Sequence, residues 1–346
     1  MAKLQTILLQ NERGMSVEIV NYGARIKSIL FPVNDVATEM TVGHEYADDY
    51  LTDEFYLGAT CGRVCNRVEN GVFELNGVQY KLTQNDGEQC LHGGAVSFSA
   101  RFWQVVSSSS STVVLKLESE SGDQGFPGKL SLQVTYHLTD NNQLKINYFA
   151  ITDAATPINL TNHAYFNLGN ESGEQLDLKI FASNMLDRKS NGVPSGKVIS
   201  VQNSDFDFRQ LTNIGTRHKQ AIDLSLQEMA CYDHCYILDA SETGGSNYNG
   251  GDNIENNKYE SIGLPKAILQ SKSNHITMSL FTNQPAVQLY TGVALSGKFR
   301  PYQGVCLEAQ DYSNAVNINH FPSTILQPND EYQREIIYQF EVGNTN

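Results

Sequence analysis

LSLQVTYHLTDNNQLKINY, residues 130–148, alternates apolar and polar side chains on both sides of a turn. Leu130, Leu132, Val134 and Tyr136 fall on one parity, and so do Leu144, Ile146 and Tyr148. Period-two alternation puts one set on a single face of a strand, and Asp140-Asn141-Asn142 supplies turn chemistry between the two arms. The stretch therefore reads as an antiparallel hairpin with one buried face.

Working outward, the same pattern recurs. Phe73-Glu74-Leu75 and Val78 to Leu82 flank Asn76-Gly77, a pair that tolerates the positive φ angles of a type I′ turn. Phe102 to Val106 and Val113 to Leu117 flank a serine-rich tip at Ser107 to Ser111. Lys266 to Gln270 is expected to pair with His275 to Leu280, and Glu335 to Val342 is expected to be a terminal strand. Helical periodicity is confined to Ala47 to Leu51 and parts of Gln210 to Gln227, so the crossover helices of a parallel α/β fold are missing. The expectation is an all-β protein, a large antiparallel sandwich or barrel. No repeat of 20–50 residues signals a solenoid or propeller. Ser241 to Lys258, rich in Gly, Asn and Ser, reads as a surface loop.

Composition narrows function by exclusion. Across 346 residues, 24 Lys+Arg against 38 Asp+Glu give a net charge of −14, which repels nucleic-acid phosphates and anionic membrane surfaces. Met1 to Gly14 lacks the features of a secretory signal, and nothing approaches the ~18 apolar residues of a membrane span. A cytoplasmic protein is expected, its six cysteines reduced. Cys61 with Cys65 and Cys231 with Cys235 each enclose three residues, and no further Cys or His completes a usual zinc spacing, so buried thiols are the reading.

Five segments place polar groups in apolar or glycine-rich context: residues 62–67, 91–94, 161–168, 232–236 and 304–311. Each alone is weak, since a strand His is usually a satisfied core residue. Together they supply two His, two acids, an Arg and an Asn beside Gly, Tyr and Phe, the materials of a pocket for a polyhydroxylated ligand. Phosphate loops, Gly-x-Ser-x-Gly elbows and His-Glu-x-x-His helices are absent from the sequence. Leu91-His92-Gly93-Gly94 looks like a lipase oxyanion motif only superficially.

NRVENGVFELNG at 66–77, LHGG at 91–94, TNHAYFNLG at 161–169, YDHCYIL at 232–238, QPAVQLYTG at 284–292 and GVCLEAQDYSNAVN at 304–317 resemble the aldose 1-epimerase family in order and spacing. The resemblance spans nearly the whole chain. It implies a single domain over 1–346, a large β-sandwich of the galactose-mutarotase-like type, no cofactor or metal, and a small-molecule hexose as substrate, acted on by a monomer or homodimer. It further implies Glu308 as general base and His163 as general acid, Arg67 and His92 near the reacting centre, and Asn66, Asp233 and Gln288 as further sugar-binding positions. Ala164, Cys65 and Ala286 depart from the family's usual residues and bear on pocket shape.

That chemistry is coherent on its own terms. Exchanging anomers requires taking the C1 hydroxyl proton while protonating the ring oxygen, so one base and one acid suffice and no electron moves. The reading expects a bell-shaped pH profile, falling in acid as Glu308 protonates and in alkali as His163 loses its proton. Three alternatives stay open: a glycosidase using Asp233 and Glu308, a passive sugar-binding module, and a hexose-6-phosphate epimerase, which would need a basic cluster.

Overall fold

The computed structural model describes residues 3–240 and 263–343. Residues 130–148 form the expected hairpin, with strands Leu130–Leu138 and Gln143–Thr152 in antiparallel register from Leu130 opposite Thr152 to Leu138 opposite Leu144. Alternate residues along both strands are buried, as the period-two pattern requires.

These strands lie inside a nine-stranded antiparallel sheet. Its spatial order is Gln104–Ser108, Thr112–Ser119, Leu130–Leu138, Gln143–Thr152, Tyr332–Val342, Ile276–Thr282, Ala267–Gln270, Asp177–Ile180 and Thr212–Asn213. A second, seven-stranded sheet runs Pro194–Ser200, Asn184–Arg188, Asp233–Ile237, Ala286–Tyr290, Val305–Gln310, Tyr165–Phe166 and Thr41–Val42. The two face each other across one core. Phe166 of the smaller sheet meets Tyr338 of the larger with ring centroids 4.8 Å apart, and the cluster around them draws on residues from Leu9 to Phe340. The fold is an antiparallel β-sandwich.

The Asn76-Gly77 hairpin has the two-residue turn its sequence demands, with φ of 52° and 76° at those residues and Leu75 opposite Val78. The serine-rich hairpin also forms, with a register shift between Val105 and Ser107. The terminal strand begins three residues earlier than expected, at Tyr332, whose hydroxyl takes the Leu160 N–H at 3.0 Å. Residues 210–227 contribute two short helices, Ile214–Lys219 and Leu224–Met229, capped by the side chains of Asn213 and Asp223. Ala47–Thr52 is a 3₁₀ turn. No helix among the described residues is long and apolar enough to cross a membrane. The 241–258 stretch lies outside the described residues.

Candidate active site

Strand parity assembles the site. Gln288 stands directly opposite Glu308 in the smaller sheet, and Cys235 stands opposite Gln288, so Asp233, two residues along, shares their face. On the other side Tyr165 pairs with Cys306, and stepping back two residues along that register brings His163 level with Glu308. The His163 main chain is clamped at both ends: its N–H donates to the Ala59 carbonyl at 2.9 Å and its carbonyl accepts the Gly58 N–H at 3.0 Å. Gly58 has no room for a side chain, since a Cβ would lie 1.9 Å from the Ile26 carbonyl oxygen.

These elements close around a cavity of about 420 Å³ lined by Asn66, Arg67, His92, His163, Asp233 and Glu308. Six of the seven sequence-derived site residues thus meet at one place. Gln288 is the seventh and lies behind the wall, where its amide donates to Asp233 Oδ1 at 2.6 Å. Asn66 and His92 form a reciprocal pair: the His92 N–H donates to the Asn66 carbonyl at 3.0 Å, and the Asn66 N–H donates to His92 Nδ1 at 3.2 Å. The glycines after His92 are needed for packing, because a Cβ on Gly93 would sit 2.1 Å from the Gly62 carbonyl oxygen.

Sequence reasoning missed several wall residues. Arg188 Nη2 lies 3.3 Å from Asp233 Oδ2, beside Arg67 Nη1 at 3.4 Å, and Arg67 Nε also donates to Asp86 at 2.7 Å. Tyr56 packs on His92 and His163 with centroids 4.6 and 5.9 Å apart. Tyr165 and Tyr290 complete the aromatic wall. No local signal marks Arg188 or Asp86, whose partners come from distant segments. The alternating polar and aromatic context of Tyr165 was the available clue.

The residues expected as acid and base stand side by side in the cavity lining. His163 Nε2 lies 3.6 Å from Glu308 Oε1, and both side chains are at most 5% exposed. Glu308 Oε2 has no hydrogen-bond partner among the described residues. Burial pushes the Glu308 carboxyl well above the usual range, with nearby Asp233 adding to the rise and Arg67 opposing it. Burial also depresses His163 to about 4 and carries His92 well below an ordinary imidazole. Burial pulls Asp233 upward too, but Arg67 and Arg188 outweigh it and hold that carboxylate below its normal value.

His92, His163 and Glu308 each bring a potential ligand atom within 4.8 Å of the others. The His92 bonding opposes a metal there. With Nδ1 accepting a main-chain N–H, the neutral ring carries its proton on Nε2 and presents a donor to the cavity; ligation at either nitrogen would break the Asn66 bond. All six cysteines are free and buried.

The arrangement fits proton transfer to and from a neutral, hydroxyl-rich molecule. The family described as aldose 1-epimerase matches residues 5–339. An aldose 1-epimerase of Haemophilus influenzae is 36% identical over 327 residues, covering 91% of this chain and 89% of that protein. A Bos taurus galactose mutarotase is 31% identical, covering 97% and 93% respectively. Among solved structures, a GalM/aldose epimerase homologue from C. elegans superposes with a TM-score of 0.88 at 28% identity, covering 99% of this chain and 100% of that one.

Proposed function

The chain belongs to the aldose 1-epimerase family and is an isomerase of that kind, and we propose that it opens and recloses the hemiacetal ring of galactose- and glucose-type hexoses with Glu308 as base and His163 as acid. The observation that carries this reading is the buried pair at 3.6 Å with one Glu308 oxygen left unpartnered. A C1 hydroxyl between the two would give its proton to Glu308 while His163 protonates the ring oxygen, and the C1–O bond opens. After the aldehyde turns about C1–C2, the transfers reverse and both groups are restored. Asn66, Arg67, His92 and Asp233 grip the remaining hydroxyls, with Gln288 holding Asp233 in place. The walls are one domain's work, and the acidic, thiol-bearing chain suits a cytoplasmic monomer or homodimer acting on small sugars.

The protonation states refine the mechanism read from sequence. With Glu308 raised and His163 lowered, the empty site between the two transitions holds one proton, mostly on Glu308. The competent arrangement, ionised Glu308 with protonated His163, carries the same number of protons and is a fixed fraction of that form. A bell-shaped profile therefore survives, but its limbs exchange owners: the acid limb follows His163 and the alkaline limb Glu308.

The alternatives lose support on charge. A glycosidase needs, besides its acid, a free carboxylate to attack C1 or activate water, and both Asp233 oxygens are engaged, by Gln288, Arg67 and Arg188. A phosphorylated hexose needs free cations, whereas Arg67 and Arg188 are committed to Asp86 and Asp233. Polarimetry on freshly dissolved α-D-galactose should show fast equilibration, with methyl β-galactoside a competitive, unreacted inhibitor because it lacks the C1 proton. Release of reducing sugar from the methyl glycoside, abolished in Glu308→Gln, would overturn the reading.

A further inference from the structure

We propose that Cys306 is a positioning residue that selects the Nδ1–H tautomer of neutral His163. The inference rests on the ring-opening reading above. Cys306 Sγ lies 3.5 Å from His163 Nδ1, while Nε2 faces Glu308 Oε1 at 3.6 Å. Cys306 and Glu308 are two residues apart on the Val305–Gln310 strand and so project from the same face. One strand thus brackets both nitrogens of one imidazole.

Proton accounting shows why this matters. On opening, the Nε2–H bond breaks as the ring-oxygen O–H forms, the C1–O ring bond breaks, and the C1 hydroxyl proton moves to Glu308 as the C1 carbonyl forms. Imidazole retains one proton. For reclosure Nε2 must be bare to take its proton back, so the retained proton has to sit on Nδ1. A buried N–H without an acceptor is disfavoured, and the ring would then drift to the Nε2–H form, which cannot accept. The sulfur is the side-chain acceptor at hand, and it shares the Nδ1 side with the ring's own carbonyl, which also accepts the Gly58 N–H.

A thiol suits an acid better than a carboxylate would. Cys306 is fully buried, and burial together with Glu308 holds its thiol protonated and uncharged. An anionic partner at Nδ1 would stabilise the imidazolium and make the ring a stronger base. A neutral sulfur orients the ring and leaves it ready to release a proton.

Nitrogen-15 NMR of histidine-labelled protein tests this directly, with the His163 signals assigned by their loss in His163→Asn. Neutral His163 in the wild type should show the Nδ1–H pattern; an Nε2–H pattern would overturn the proposal whatever the variants do. Cys306→Ala should move the signal toward Nε2–H and lower kcat about tenfold at unchanged KM, and Cys306→Ser should recover most of the loss. A folded Cys306→Ala with wild-type kcat and an unmoved tautomer would equally overturn it. The tautomer is read without sugar, so a wild type that leaves α-galactose unequilibrated sinks the function and not this assignment.

Discussion

Strand Gln143–Thr152 and strand Val305–Gln310 follow opposite rules. In the first, buried and half-exposed residues alternate because one face meets the core and the other meets water. In the second all six residues are buried. Val305, Leu307 and Ala309 face the sandwich core, while Cys306, Glu308 and Gln310 lie on the opposite face, from which Glu308 lines the cavity. The first strand buries apolar side chains on its core face, with the Tyr148 hydroxyl the one buried polar atom it leaves unpartnered among the described residues, and stores stability. The second buries an ionisable carboxyl and leaves its Glu308 Oε2 without a partner on the cavity wall, where a ligand hydroxyl would complete it.

The sharpest way to break that division is to substitute the covered strand. Glu308→Gln should lose at least ~100-fold in kcat while keeping sugar binding, because the amide fills the same space and cannot take a proton. His163→Asn should fall comparably, and the double variant by much less than the product, since the two act as a unit. Thermal stability should hold in Glu308→Gln, where a buried ionisable group is replaced by a neutral one. Near-normal turnover in either single variant would remove the base and acid assignments.

The complementary test cuts into the regular sheet. Ile146 is fully buried between Tyr136 and Ile336 on the neighbouring strands, so Ile146→Ala should cost about 2–5 kcal/mol in chemical unfolding through lost burial and a residual cavity. Its kcat and KM should match the wild type at temperatures where it stays folded. A large fall in kcat without a fall in stability would show that the two sheets do not divide the labour.

That contrast also explains what was legible beforehand. Alternation and turn chemistry are local, so the 130–148 and 73–82 hairpins and the 266–280 pair could be read from residues alone. Glu308 carries no such signature, since Cys-Leu-Glu-Ala-Gln read by alternation equally allows a solvent-facing acid. It was picked out by its resemblance to a family motif, and only the pairing register shows why it is buried. Arg188 was invisible because its partners, Asp233 and Met229, come from other segments. Tyr56 was missed for a related reason: its segment is fixed by Asp53, which accepts the Leu57 N–H and pairs with buried Arg25, itself bonded to the Leu57 carbonyl. Residues joined only through tertiary bonds of this kind leave no periodic trace.

The finest prediction sharpens the comparison at the level of one proton. If the acid limb of kcat/KM belongs to His163, depressed by burial to about 4, and the alkaline limb to Glu308, raised by burial, then the limbs differ in chemical type. Nearby charges cannot tell the two apart, because any potential moves an imidazole and a carboxyl in the same direction. Temperature can. Imidazolium ionisation absorbs considerable heat, so its limb moves to lower pH on warming, whereas carboxyl ionisation is nearly athermal and its limb stays in place. Profiles of α-galactose mutarotation recorded at several temperatures should therefore show a mobile acid limb and a stationary alkaline one. The reverse, with the alkaline limb moving, would restore the order expected from sequence and show that the buried strand keeps Glu308 ionised after all.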